Sequence, residues 1–130
     1  MDFTLSPEER ELEDRVRTVL EQVIRPAYPA WVAEDTTPPE MFALLGESGL
    51  LGFRRRPAAL DPIPWLENIH FYRHAGSFSG GVAIAAFAHA QLGLQALNGC
   101  GDTAPHAEIL ESGVAGKTVL AFANTEPGAG

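Results

Sequence analysis

Apolar residues return every three or four positions near the start of the chain, which predicts a first amphipathic helix. Ser6-Pro7-Glu8-Glu9 has the composition of a helix start, with Ser6 as N-cap and Glu9 placed to close a capping box. The predicted apolar stripe consists of Leu12, Val16, Val19, Leu20, Val23 and Ile24. Because proline has no amide hydrogen, Pro26 predicts the end of this helix.

A second, shorter helix is predicted after Thr37-Pro38-Pro39-Glu40, which repeats the same capping composition. Met41, Leu44 and Leu45 supply its apolar side, and Gly49 is placed to end it in the left-handed conformation. The prolines spread over residues 54 to 64 block regular strand pairing, so this stretch is predicted to be a loop.

Three further helices are predicted after that loop. The third begins at Asp61 or Pro62 and ends near Gly76, since its apolar residues fall on one helical face. Residues 82 to 97 are almost all small or apolar and predict a buried central helix. At roughly 16 residues it is shorter than the ~20 that span a bilayer, so no membrane insertion is predicted. A short helix over residues 105 to 111, ending at Gly113, completes the set.

In the last segment the periodicity of the side chains changes from that of a helix to that of a strand. Val119, Ala121 and Ala123 alternate with the residues between them up to Asn124, which predicts a β-strand. A single strand leaves its backbone polar groups unpaired, so we expect its sheet to be completed by material from elsewhere. The predicted fold class is therefore mainly α: an up-and-down helical bundle of about five helices ending in one β-strand.

Composition narrows the function classes. The chain has 130 residues, 45% of them hydrophobic, enough for one domain with a core. The net charge of -8 argues against nucleic acid and anionic membranes as partners, because both attract clustered Lys and Arg. One cysteine excludes an internal disulfide, and Met1-Asp2-Phe3 lacks the features of a signal peptide, so we expect a cytoplasmic protein.

Three segments together carry a family resemblance. They are Ser6-Pro7-Glu8-Glu9-Arg10-Glu11-Leu12, Leu44-Leu45-Gly46-Glu47-Ser48-Gly49-Leu50-Leu51-Gly52 and Ala121-Phe122-Ala123-Asn124-Thr125-Glu126-Pro127-Gly128-Ala129-Gly130. In this order they resemble the acyl-CoA dehydrogenases. The resemblance implies that residues 1–116 are the N-terminal helical domain of that family. It implies that residues 117–130 are the first strand and Thr-Glu-Pro turn of a truncated middle β-domain.

The resemblance also implies a cofactor, FAD. The residues that would lie against its isoalloxazine ring are Phe122, Ala123, Asn124, Thr125, Glu126, Pro127, Gly128, Ala129 and Gly130. Backbone N–H groups and the Thr125 hydroxyl would hydrogen-bond the polar edge of the flavin. The residue types suit this role, because Gly128 and Gly130 permit close backbone approach to a flat ligand.

The catalytic Glu of the family lies in its C-terminal helical domain, and no position of this chain corresponds to it. The resemblance thus implies a partial, truncated or split acyl-CoA dehydrogenase that is inactive alone. Its implied partners are acyl-CoA or a carrier-bound acyl thioester, and a companion chain or missing C-terminal domains in a homo- or hetero-oligomer. The alternatives are a non-catalytic helical interaction module and part of a flavin-dependent monooxygenase of the same fold, the latter weakened by Thr125-Glu126-Pro127.

Three further groups of residues each have two interpretations. The arginines at 54–56 either contact a phosphate of CoA or FAD, or lie in a solvated loop or pair with the acidic first helix. Glu67, His70 and His74 share a helical face with metal-ligand spacing, but the chain has no second Glu-x-x-His, so they are predicted to be partly exposed helix residues and no metal site is predicted. His89 is either a core histidine satisfied by a neighbour or part of the lining of the acyl substrate pocket.

Overall fold

Five helices make up most of the fold in the computed structural model, which describes residues 4–56, 59–63, 65–100, 102 and 104–128. They are α1 (residues 7–33), α2 (Pro39–Glu47), α3 (Trp65–Phe78), α4 (Gly80–Asn98) and α5 (Ala107–Val114), with a 3-10 turn at Ala104–His106. Helix α3 packs against both α1 and α4. The predicted mainly α fold of about five helices is confirmed.

The core of the bundle lies where the first four helices meet. Its buried side chains are Val16, Leu20, Ile24, Trp31, Met41, Phe42, Leu45, Leu50, Leu51, Phe71, Ala75, Val82 and Ala86. A smaller cluster of Leu94 and Leu110 joins α4 to α5. The start of α1 is as predicted: the Glu9 N–H donates to Ser6 Oγ at 3.2 Å, and the Ser6 N–H donates to Glu9 Oε2 at 2.6 Å.

The prediction that Pro26 ends α1 is wrong. The helix runs as Pro7–Val19, a π-helical segment Leu20–Ile24, and Arg25–Ala33. The Arg25 N–H donates to the carbonyl of Leu20, five residues back, instead of four. This wider turn directly precedes Pro26, so the backbone hydrogen bonds have already shifted by one residue at the point where the proline ring would clash with the preceding turn. The helix widens at the proline and continues.

Helix α2 begins differently from the prediction. Its N-cap is Pro38, with no side-chain hydrogen bond, so Thr37 does not cap it. The fixed backbone of the prolines at the first turn takes the place of a side-chain cap. The predicted end is confirmed: Gly49 has φ 69°, and the Leu50 N–H donates to the Leu45 carbonyl at 2.9 Å.

The stretch predicted as a loop contains a hairpin. Strand β1 (Phe53–Arg56) pairs antiparallel with β2 (Ala59–Pro62), with Phe53 opposite Pro62 and Arg56 opposite Ala59. Pro62 occupies the last pair of the ladder, where a missing N–H interrupts no central bond. Since residues 61 and 62 belong to β2, α3 begins at Trp65 and not at Asp61 or Pro62.

Helix α4 is less buried than predicted. Ser79 caps it, accepting from the Val82 N–H at 3.1 Å, and a π-helical segment spans Ala88–Leu94. Ile84 is 70% exposed and Phe87 43% exposed, because no element in the described part of the chain covers that face. Among the described helices, α4 alone is long and apolar enough to cross a membrane. Core helices of soluble proteins also meet these two criteria.

The predicted terminal strand is not formed. Residues 118 to 124 have no strand assignment, and Glu126 forms only an isolated bridge. A strand exists only as part of a ladder, and no second strand pairs with residues 118–124 within the described residues. The division into domains 1–116 and 117–130 stays a prediction.

Helices α2 and α5 approach each other through glycine. A Cβ atom on Gly46 would lie 2.4 Å from the backbone of Ala115, and one on Gly116 would lie 1.9 Å from the Phe42 carbonyl oxygen. Gly116 also has φ 70°, in the left-handed region. The turn that ends α5 is therefore seated directly on the α2 backbone.

We expect Gly116→Ala to lower the free energy of unfolding by at least about 2 kcal/mol, from left-handed strain and backbone overlap together. Urea denaturation measures the change. Gly76→Ala is the matched control, because a Cβ at this exposed helical position meets nothing within 4 Å. Equal stability of the two variants would contradict the packing of Gly116 against α2.

Candidate functional site

The candidate site begins where the chain leaves α5. After Gly116 turns the backbone, the Lys117 N–H donates to the Ser112 carbonyl at 2.9 Å. The hydroxyls of Ser112 and Thr118 are 2.7 Å apart and hydrogen-bonded. These bonds fold the first residues after α5 back onto its last turn, which sets the direction of the segment that follows.

His89 fixes the next residues of this segment. Its side chain is buried, with 1% exposure, and its Nδ1 accepts a hydrogen bond from the Leu120 N–H at 3.0 Å. Because an amide N–H only donates, Nδ1 carries no proton, and Nε2 donates to the Gly113 carbonyl at 3.0 Å. Burial lowers the pKa of His89 below its usual value, with the two backbone bonds acting in the opposite direction.

Leu120 is held in a slot between two glycines. A Cβ atom on Gly93 of α4 would lie 2.6 Å from Leu120 Cβ, and one on Gly113 of α5 would lie 2.7 Å from Leu120 Cδ1. Leu94 and Leu110 form the buried base of this slot. Only glycine at both positions lets the leucine side chain reach that base.

Beyond Leu120 the predicted cofactor-binding residues lie on the surface. Residues 121–128 are all exposed, and Phe122 keeps 51% of its surface accessible. Within the described residues, no backbone hydrogen bond is donated by the N–H groups of residues 121–124, whereas Glu126 forms an isolated bridge. Gly128 has φ 93° and nothing within 4 Å of its Cβ position. Ala129 and Gly130 lie outside the described residues.

This donor set fits the chemistry of a flavin. A flat heterocycle with a polar edge needs N–H donors, a hydroxyl and room for close approach. Residues 121–124 offer the backbone donors, Thr125 the hydroxyl, and Gly128 the free space. The role of residues 122–130 in binding FAD stays a prediction.

Two other predicted roles also stay predictions. Both ring nitrogens of His89 are hydrogen-bonded to the backbone, as expected for a core histidine, and its place in a substrate pocket stays a prediction. The arginines at 54–56 lie in β1. An open pocket of about 350 Å³ between the end of α1 and the start of α4, lined in part by Tyr28, Trp31 and Ser79, contains none of the predicted site residues.

Sequence reasoning missed Leu120 and its two glycines. The available signal was Gly93, an isolated glycine inside an otherwise apolar helix, which often marks close approach of another backbone. The approaching residue lies 27 positions away in the sequence, at Leu120, and no local pattern identifies it.

Comparison with known families identifies the family of this chain. The family described as "Acyl-CoA dehydrogenase, N-terminal domain" matches residues 6–117. The chain belongs to the acyl-CoA dehydrogenase family. The match covers all five helices and ends where the Leu120 segment begins. A search of curated proteins found no match.

A solved structure shares the fold of this family member. The crystal structure of glutaryl-CoA dehydrogenase from Mycobacterium smegmatis superposes with a TM-score of 0.76 at 24% sequence identity. The superposition covers 89% of this chain and 30% of that one. At this identity the likeness concerns the fold alone, and this chain spans less than a third of that enzyme's length.

We expect His89→Leu to flatten the dependence of stability on pH in this acyl-CoA dehydrogenase-family chain. Since the folded-state pKa is lowered, the unfolded chain binds the proton first. The stabilisation is complete above about pH 6.5 and is lost as the pH falls toward the folded-state pKa. Replacing His89 should reduce the slope by up to about 1.4 kcal/mol per pH unit. Urea denaturation across this range measures it.

The matched control is His106→Leu, since His106 lies outside this hydrogen-bonded cluster. An unchanged slope in His89→Leu, or the same decrease in both variants, would contradict a neutral His89 in the folded protein.

We expect Gly93→Ala to displace Leu120 from its slot. The added methyl group overlaps Leu120 Cβ, so the free energy of unfolding should fall by about 1–3 kcal/mol. Hydrogen exchange of the Leu120 amide should accelerate more than that of α1 amides. Gly81→Ala, in the same helix, is the control, because its Cβ meets only Ser79 Oγ at 3.6 Å. Equal protection of Leu120 in both variants would show that the slot does not hold the segment.

Proposed function

We propose that this chain contributes one wall of the flavin and acyl-thioester site of an FAD-dependent acyl-CoA dehydrogenase. The other walls come from a β-domain and a C-terminal helical domain, carried on the same polypeptide or on a companion. The reaction is the α,β-dehydrogenation of an acyl-CoA or carrier-bound acyl thioester. The described chain is inactive alone, because none of its residues corresponds to the catalytic Glu of the family.

The observation that carries this proposal is the contrast on either side of Leu120. Up to this residue the segment is fixed by the slot and by the hydrogen bond from Leu120 N–H to His89. From residue 121 onward every described residue is exposed. Within the described residues, the backbone N–H groups of residues 121–124 have no partner, and a fixed base below them is suited to presenting these donors to a ligand without a large ordering cost.

The residues of this segment have distinct roles in the proposal. Backbone N–H groups of residues 121–124 and the Thr125 hydroxyl hydrogen-bond the polar edge of the flavin, and the exposed Phe122 ring covers apolar ligand surface. Gly128 lets the backbone approach the ring closely. When bound, FAD supplies the hydride acceptor for the β-carbon of the thioester.

A second candidate function is a non-catalytic interaction module. The exposed apolar side chains of Ile84 and Phe87 on α4 favour it, because they offer surface that a partner would cover. Both candidates require a partner, but only the dehydrogenase requires flavin. A flavin-dependent monooxygenase is distinguished by the source of electrons, since a dehydrogenase flavin is reduced by the acyl thioester itself.

The experiment is purification of the chain, tagged at its N-terminus, from its native host with whatever continues or accompanies it. We expect a complex with flavin absorbance that bleaches when acyl-CoA is added without oxygen. In that complex Thr125→Ala should weaken FAD binding by about 3- to 10-fold, the loss expected for one hydrogen bond. Thr36→Ala, at another exposed threonine, should leave FAD affinity unchanged.

The outcomes separate the candidates. A defined complex without flavin supports the interaction module and overturns the proposal. Flavin absorbance that does not bleach when acyl-CoA is added supports the monooxygenase. If FAD binds and Thr125→Ala matches Thr36→Ala, the assignment of the polar flavin contact to Thr125 is wrong.

A further inference from the structure

We propose that Glu13, His70 and His74 bind a divalent transition-metal cation of the Zn²⁺ class between α1 and α3. The sequence alone shows the spacing of the two histidines, groups them with Glu67 and predicts partly exposed helix residues. In the structure Glu67 and His70 are buried instead. The fold supplies Glu13 from α1 instead. This proposal is independent of the flavin assignment, since it uses none of the residues around Leu120.

The three side chains already converge. One ligand atom from each of them lies within 4.8 Å of the others. His74 Nε2 is 3.2 Å from Glu13 Oε1, a separation that two ligands of one tetrahedral cation can adopt. His70 and His74 are four residues apart on α3, so both rings project from the same side of the helix.

His70 gives the independent indication of a ligand. Its side chain is 2% exposed, and neither Nδ1 nor Nε2 has a hydrogen-bond partner within the described residues. Buried polar atoms are nearly always paired, and a buried imidazole without partners is poorly explained by packing alone. A neutral imidazole nitrogen is a preferred ligand of Zn²⁺, and coordination would satisfy one of the two nitrogens.

The surrounding charges favour one class of cation. Glu13 also accepts from Arg73, and Glu67, which is fully buried, pairs with Arg15. Arg73 is 60% exposed and can turn to solvent when a cation takes the Glu13 carboxylate. With two imidazoles and one carboxylate available, the site suits Zn²⁺ rather than Ca²⁺ or Mg²⁺, which require mostly oxygen ligands.

The site also has an approach from solvent. The side chains of Glu13 and His74 are 18% and 19% exposed, whereas His70 is 2% exposed. Two of the three ligands are therefore accessible to a cation from solvent. Binding there would join α1 to α3 at a helix pair that already packs closely.

The test is calorimetric titration of the chelator-treated, full 130-residue chain with Zn²⁺. We expect one equivalent to bind, and we expect His74→Ala and Glu13→Gln each to weaken binding by at least about tenfold. The matched controls are His106→Ala and Glu11→Gln, whose side chains lie outside the cluster, and these should bind as the parent chain does. Circular dichroism checks that each variant is helical.

A second measurement tests the buried ligand, His70. His70→Phe keeps an aromatic ring of similar size in the core, so the variant should fold while losing the bound equivalent. Co²⁺ should give a tetrahedral absorption spectrum with the parent chain and not with His70→Phe. The proposal is overturned if the parent chain binds no stoichiometric Zn²⁺, or if the His74, Glu13 or His70 variants bind it as tightly as the controls.

Discussion

The pair of hydrogen bonds made by His89 is the constraint on which the candidate site depends. One imidazole joins three parts of the chain: α4, which carries it; the end of α5, through the Gly113 carbonyl; and the following segment, through the Leu120 N–H. One ring nitrogen can donate and the other accept only while the ring is neutral, since a protonated ring would have no acceptor for the Leu120 N–H. Burial keeps it neutral by lowering its pKa. The direction in which residues 121–128 leave the bundle is thus set by a protonation state as well as by packing.

Glycine makes this geometry sterically possible at successive points along the path of the chain. Gly116 seats the end of α5 on the α2 backbone, and Gly93 and Gly113 then open the slot that receives Leu120. A methyl group at any of these positions would overlap a backbone atom or a packed side chain. The His89 ring reaches both the Gly113 carbonyl and the Leu120 N–H at 3.0 Å only where α4, α5 and the following segment come this close, so the packing and the hydrogen bonds depend on the same geometry. The family match ends at Lys117, immediately before the segment that this packing positions.

The features that could be predicted from the sequence are those with local causes. The Ser6 capping box and the left-handed Gly49 depend on residues within one turn of each other, and both are present. The continuation of α1 past Pro26 was missed because a π-helical turn leaves no mark in apolar periodicity. The hairpin is not predictable from the prolines, because a proline in the terminal pair of a ladder, such as Pro62, leaves the other pairs intact. Of the candidate site, the sequence indicated the exposed motif from Phe122 onward. It did not indicate the Leu120 anchor, which depends on glycines contributed by two helices.

The same helix that holds the site also presents the uncovered apolar face. His89 and Gly93 are buried, whereas Ile84 and Phe87 of the same helix are exposed. Removing apolar surface from water stabilises a contact by roughly 25 cal/mol per Å², so a domain that covers Ile84 and Phe87 would gain affinity from that surface. It would at the same time restrain the helix that carries His89. In the proposed dehydrogenase, docking of the remaining domains and orientation of the segment beyond Leu120 would then be coupled through α4. The position of the flavin-facing residues would depend on assembly even though their anchor lies wholly within this chain.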